Sequence, residues 1–191
     1  MPLKIALFAS GSGSNAENII NFFSKSTDLT FPTIISNKSD AFVHERAKKM
    51  GIHSYTFSRE EFSTGENILA LLKQQNIDCI VLAGFLLRIP QALIDAFPQR
   101  IINIHPALLP KYGGKGMYGM NVHHAVVENK EKETGITIHF VNENYDEGNV
   151  IFQKEVALSA TDSPENVAEK IHELEQRYFP EVIEKLITHN L

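Results

Sequence analysis

Two polar side chains interrupt an apolar run in Arg100-Ile101-Ile102-Asn103-Ile104-His105-Pro106. In an extended strand, residues i and i+2 point to the same side, about 6.7 Å apart along the chain. Asn103 and His105 therefore share a face. An amide N–H and a protonated imidazole on one face can donate to a single developing oxyanion. Asp146, within Asn142-Glu143-Asn144-Tyr145-Asp146-Glu147-Gly148, can orient such a histidine. Its charge is expected to raise the histidine's pKa above the ordinary value of about 6.5. No Ser or Cys nucleophile accompanies the three, so direct attack of a substrate amine on an acyl carbon fits better than an acyl-enzyme. Spacing alone also admits a plainer reading, in which His105 caps a strand and Asp146 is a solvated turn former.

A second group lies near the N-terminus, where Gly11-Ser12-Gly13-Ser14-Asn15-Ala16 follows an apolar run and opens a helical one. Gly11, Gly13 and Ala16 match G-x-G-x-x-G/A, a turn whose backbone N–H groups approach a phosphate at a helix N-terminus. The serines and Asn15 add hydroxyl and amide donors. A dinucleotide site usually has an acid at the end of the next strand for the ribose. Here that place reads Ser36-Asn37-Lys38, which favours a single phosphate monoester.

These groups need a frame to bring them to one rim. Apolar runs at 5–9, 32–36, 79–84 and 101–105, with a weaker one at 53–57, predict strands. Amphipathic stretches at 16–24, 41–50, 66–76 and 91–97 predict the helices between them. The alternation implies an α/β fold with a mostly parallel open twisted sheet and helices on both faces. Ligands then bind at the carboxyl ends of the strands. After residue 105 the pattern changes. A Gly- and Pro-rich loop leads to a helix near 121–130, and period-two runs at 135–141 and 150–158 predict an antiparallel pair, about seven strands in all. The last helix is expected to start at Ser163-Pro164 and to kink or break at Pro180.

At 191 residues the chain reads as one domain, 1–191, and its net charge of −5 argues against a general nucleic-acid binder. The single cysteine, Cys79, lies in an apolar run and reads as a buried structural thiol. The apolar run at 5–9 is too short for a signal core or a membrane span, so the chain reads as cytoplasmic, without membrane partners. His123 and His124 are adjacent, about 100° apart on a helix, and cannot form a one-face metal pair. His139 alternates with Ile138 and Phe140 and is expected to face the site or a satisfied interior. His44, His53 and His189 read as surface residues. No zinc spacing is present and no metal is expected.

Taken in order, "GSGSN", "SNK", "LAGF", "NIHPALLP", "GITIHFV", "DEGNVI" and "LEQRYFP" resemble the phosphoribosylglycinamide formyltransferase family over nearly the whole chain. The "HP…LLP" part is shared with the wider formyltransferase superfamily. The resemblance implies transfer of a formyl group from 10-formyltetrahydrofolate to the amine of glycinamide ribonucleotide in purine biosynthesis. It implies Asn103, His105 and Asp146 as catalytic residues, and Gly13, Ser14 and Asn15 around the substrate phosphate. Glu175, with His172 beside it, would lie at the amine and ribose, and Phe85, Leu86, Leu87, Arg88, His139 and Val141 at the folate. The family commonly has Gly-Phe-Met-Arg after the fourth strand. Here Gly84-Phe85-Leu86-Leu87 precedes Arg88, so either Leu87 or Arg88 takes the arginine's place. The loop "KYGGKGMYGMNVHH" is longer than usual, with four glycines between 113 and 119, and reads equally as a mobile flap or a surface insertion. A homodimer is left open. Formyltetrahydrofolate hydrolase and methionyl-tRNA formyltransferase are close alternatives, but each carries an extra domain for which this chain is expected to have no room. A non-catalytic nucleotide-binding module leaves Asn103, His105 and Asp146 unexplained.

Overall fold

The computed structural model describes residues 1–190, with side chains through residue 187, so the expectation for His189 lies outside the described side chains. The chain folds as two compact units, residues 1–103 and residues from 104 on. Seven strands form one mixed sheet in the order β3-β2-β1-β4-β5-β6-β7.

The first unit holds β1 (Leu3–Phe8), β2 (Leu29–Ser36), β3 (His53–Thr56), β4 (Cys79–Leu82) and the first part of β5 (Ile101–His105). Its helices are α1 (Ser14–Phe22), α2 (Val43–Lys49), α3 (Arg59–Thr64), α4 (Glu66–Gln74) and α5 (Gln91–Ala96). The strand pairs β1–β2, β1–β4, β2–β3 and β4–β5 are all parallel. Ile5, Ala6, Leu7 and Phe8 of β1 and Ile80 and Val81 of β4 are fully buried. Continuous apolar strands of this kind have no solvent face, as parallel strands covered on both sides require. Each large side chain so buried contributes roughly 1.5–3 kcal/mol. Burial also pushes the Cys79 thiol up to about 12, consistent with an inert structural thiol.

Helix α3 has no counterpart among the expected elements. Ser58 accepts from the Glu61 N–H, and the Glu61 carboxylate accepts from the Ser58 N–H, a full capping box. Phe62 secures the helix from its buried side, its ring centroid 6.1 Å from that of Phe8 and 4.9 Å from that of Phe85.

The second unit holds the end of β5, then α6 (Met120–Glu128), β6 (Glu133–Phe140), β7 (Val150–Ala157) and α7 (Pro164–Asn190). β6 and β7 pair antiparallel, with a register shift between Ile138 and His139. α7 starts as expected: Ser163 Oγ accepts from the Asn166 N–H at 3.2 Å, and Asn166 Oδ1 accepts from the Ser163 N–H at 3.1 Å. Of the kink or break expected at Pro180, the break does not occur: α7 runs through it as one helix. Phe179, Pro180, Val182 and Ile183 are all buried. That packing holds the helix together across the one backbone N–H that proline removes.

Candidate active site

In the first unit the strand order reverses at β1, which lies between β2 and β4. The carboxyl ends of β1 and β4 therefore border a topological switch point, where open α/β sheets bind ligands. The Gly-rich turn leaves β1 here and feeds α1. Gly13 has φ 73, and a Cβ on it would lie 2.4 Å from Val43 Cγ2. Only glycine fits this left-handed backbone against α2. The turn is also held by Val43 N–H donating to Gly11 O at 3.1 Å. Arg46 Nε donates to Ser12 O at 2.8 Å, and its guanidinium pairs with Glu17. Ser14 opens α1 and Asn15 is buried.

Ser10 ties three strand ends together, a role that its sequence position does not announce. Its N–H donates to Gly84 O at 3.0 Å and its hydroxyl to Asn37 Oδ1 at 2.6 Å, while its Oγ accepts from Leu86 N–H at 2.9 Å. Among the residues assigned to folate, Phe85 is buried against Phe8 at 5.4 Å between ring centroids. Leu86 and Arg88 are exposed and Leu87 is half-buried. Asn103 is half-buried in β5.

In the second unit, His105 ends β5 with 3% of its surface exposed. Asp146 lies in the β6–β7 connection at φ 54, a left-handed conformation that Asp tolerates better than most side chains. The tight return of this connection is fixed by Gly148, where a Cβ would fall 1.6 Å from Phe140 O. Asp146 Oδ2 accepts from Gly114 N–H at 2.9 Å and lies 3.6 Å from His105 Nδ1. Its Oδ1 lies 3.7 Å from His139 Nε2. The β6 register shifts between Ile138 and His139, a local irregularity of the kind by which a strand re-aims one side chain. His139 is buried, with Nδ1 on Phe140 O at 2.9 Å. One carboxylate thus faces two imidazoles.

The electrostatics correct one expectation. Burial lowers the His105 pKa by more than Asp146 and the Tyr112 carbonyl raise it, so the net shift is downward. For Asp146, burial works to raise the pKa. His139, His105 and the Gly114 N–H outweigh it and leave the carboxyl below its ordinary value. His105 Nε2 donates to Tyr112 O at 2.7 Å, a backbone contact that residue types do not reveal. The loop beyond it is braced, with Asn121 Nδ2 donating to Gly116 O at 3.0 Å.

Glu175, which sequence alone would leave on a solvated helix face, has a side chain only 15% exposed. Its charge acts on both His105 and His123. Its Oε2 is 3.8 Å from His172 Nδ1, and the pair raises the His172 pKa. His123 is buried, and its Nδ1 has no hydrogen-bond partner among the described residues. His124 and His53 are exposed. His44 is half-buried rather than a free surface residue, and bridges Ser54 Oγ at 2.9 Å and Lys38 O at 3.0 Å. Val141 is half-buried just past β6. Among the described residues, no group of three or more His, Cys, Asp or Glu side chains is placed to hold a metal ion, and no helix is long and apolar enough to cross a membrane.

Residues 3–183 match the formyl transferase family model. The chain is 41% identical over 186 residues to the chloroplastic phosphoribosylglycinamide formyltransferase of Arabidopsis thaliana, covering 94% of this chain. It spans 64% of that plant protein's length. It is 34% identical to phosphoribosylglycinamide formyltransferase of Bacillus subtilis, covering 98% of this chain and 96% of the relative. The crystal structure of the Bacillus halodurans phosphoribosylglycinamide formyltransferase superposes with a TM-score of 0.88 at 33% identity, covering 98% of this chain and 97% of that one. With the family match running across nearly all of its strands and helices, the chain belongs to the formyl transferase family.

Proposed function

We propose that this chain transfers the formyl group of 10-formyltetrahydrofolate to the amine of glycinamide ribonucleotide. The names of its relatives support formyl transfer to that acceptor, and the folate donor is the one that the family resemblance implies. The observation that carries the chemistry is the buried carboxylate–imidazole pair, His105 Nδ1 3.6 Å from Asp146 Oδ2. In this reading Gly13, Ser14 and Asn15 hold the ribose phosphate, with backbone N–H groups at the α1 N-terminus. Glu175 and His172 meet the amine and ribose. Leu86, Leu87, Arg88, His139 and Val141 serve the folate, and Phe85 braces their loop from the core.

The amine nitrogen attacks the formyl carbon, and the carbonyl pair moves onto oxygen. The Asn103 amide and the His105 Nε2–H stabilise that oxyanion, with Nε2 turning to it from the Tyr112 carbonyl. Asp146 orients His105 and favours its charged form, against the burial that lowers its pKa overall. Collapse of the adduct breaks the bond to the folate N10, and the proton lost by the amine ends on N10. Holding both reactants in line supplies most of the remaining acceleration.

The experiment is tetrahydrofolate release by the purified chain. It is expected only with donor and ribonucleotide both present. Release without the ribonucleotide would make the chain a hydrolase, and no release would leave a binding module.

A further inference from the structure

Tyr112 lies in the left-handed region at φ 56, a conformation that bulky side chains rarely adopt and that persists only where the surroundings impose it. Both ends of the residue are tied. Its carbonyl accepts from His105 Nε2 at 2.7 Å. Its hydroxyl donates to Glu131 Oε1 at 2.8 Å, and the same oxygen takes Lys111 Nζ at 3.0 Å. Glu131 is itself fixed just beyond α6, where its N–H donates to Val126 O at 3.2 Å. The chain therefore runs from the catalytic imidazole, through one strained backbone unit, to a carboxylate outside the catalytic set.

We propose that Tyr112 is a positioning residue for the reaction: its anchor on Glu131 holds the strained backbone so that the 112 carbonyl fixes the ring and proton of His105. This rests on the formyl-transfer reading for its consequence in turnover, but not for its structural content. A carbonyl oxygen only accepts, so Nε2 must carry the hydrogen. Nδ1 then faces Asp146 Oδ2 at 3.6 Å, and a neutral ring would turn a lone pair toward the carboxylate. Acceptors at both ring nitrogens favour the imidazolium, and the Tyr112 carbonyl and Asp146 both act to raise the His105 pKa against burial. The other charged groups acting on the ring are His139 from β6 and Glu175 from α7, with His123 coupled to it from α6. Burial and the bond to Glu131 push the Tyr112 hydroxyl up to about 12, so it stays a donor at any working pH. When the oxyanion forms, it replaces the Tyr112 carbonyl as the acceptor of the same Nε2–H, which that carbonyl has kept protonated.

Tyr112→Phe and Glu131→Ala both cut the Tyr112–Glu131 hydrogen bond, the first together with the hydroxyl's bond to Asn129. In each variant the NMR titration of His105 is expected to move down by about half a pH unit or more. Turnover should fall severalfold above that pKa and converge on wild type below it, with KM for both substrates unchanged. The double variant should do no more than either single one. Lys111→Gln removes only the exposed partner of Glu131 and should leave the His105 titration alone. The titration needs no formyl transfer, so it stands even if the chain proves to use another amine. A His105 titration unmoved in a folded Glu131→Ala variant overturns the proposal. So does a turnover loss equal at every pH, or a shift of the same size in Lys111→Gln.

Discussion

At the scale of single residues, Asp146 ties the site together: Gly114 N–H lies at 2.9 Å, His105 at 3.6 Å and His139 at 3.7 Å. Asp146→Asn keeps the shape and one acceptor oxygen, turns the other oxygen into a donor and removes the charge. Burial already lowers the His105 pKa, so without the carboxylate the imidazolium becomes rarer still at neutral pH. Loss of one oxyanion donor costs about 3–4 kcal/mol, or two to three orders of magnitude in turnover. The loss should fall on kcat with binding preserved, and the His105 titration should drop with it. Steady-state kinetics with an NMR titration checks both. A variant of near-normal turnover would reduce Asp146 to a turn residue. The residue types of this site are legible in "NIHP" and "DEGN". The pairing expected of Asp146 and His105 is present, but spacing alone leaves it open, because Asp146 reaches His105 through a turn closed by Gly148 beside a register shift at His139. The net direction of the His105 shift is hidden too, since it depends on burial. The buried Nδ1 of His123 and the Tyr112 carbonyl leave no trace in residue spacing.

At the scale of elements, strands and most helices follow from period and turn chemistry, since the parallel strand β4 is apolar on both faces and β7 alternates, while β6 is buried continuously from Thr134 to His139. α3 escapes that reading although Ser58-Arg59-Glu60-Glu61 carries the Ser-x-x-Glu capping signature. Its surroundings, "FSREEFSTGEN", look like loop by composition. At Pro180 the break that a local rule allows yields to tertiary packing along α7. The turn feeding α1 gives the sharpest test at this scale. Gly13→Ala must place a methyl 2.4 Å from Val43 Cγ2 at φ 73, so backbone strain of about 1–3 kcal/mol should distort the phosphate loop. KM for the ribonucleotide should rise and Tm should fall, while folate affinity stays. Ser58→Ala, which removes a cap worth about 1 kcal/mol, should lower Tm without touching KM. Equal effects on KM would show that the Gly-rich turn is not the phosphate site.

At the scale of the whole molecule, two buried histidines set the response to acid. His105 and His123 both have pKa values lowered by burial. The unfolded chain titrates them near 6.5 and so binds more protons in the window just below that value. Stability then rises with pH through the window and is lost as pH falls through it. His172, half-exposed with a raised pKa, works weakly the other way. Tm should drop on going from about pH 7 to pH 5, and His123→Phe should flatten that drop. An unchanged slope in the variant would mean that His123 is not neutral in the folded chain. Incubating the chain with 10-formyltetrahydrofolate labelled with carbon-13 at the formyl carbon, plus glycinamide ribonucleotide, should move the label into an amide carbon on the ribonucleotide nitrogen, matching tetrahydrofolate released one for one. Label recovered as formate, or left on the folate while both ligands are bound, would contradict formyl transfer.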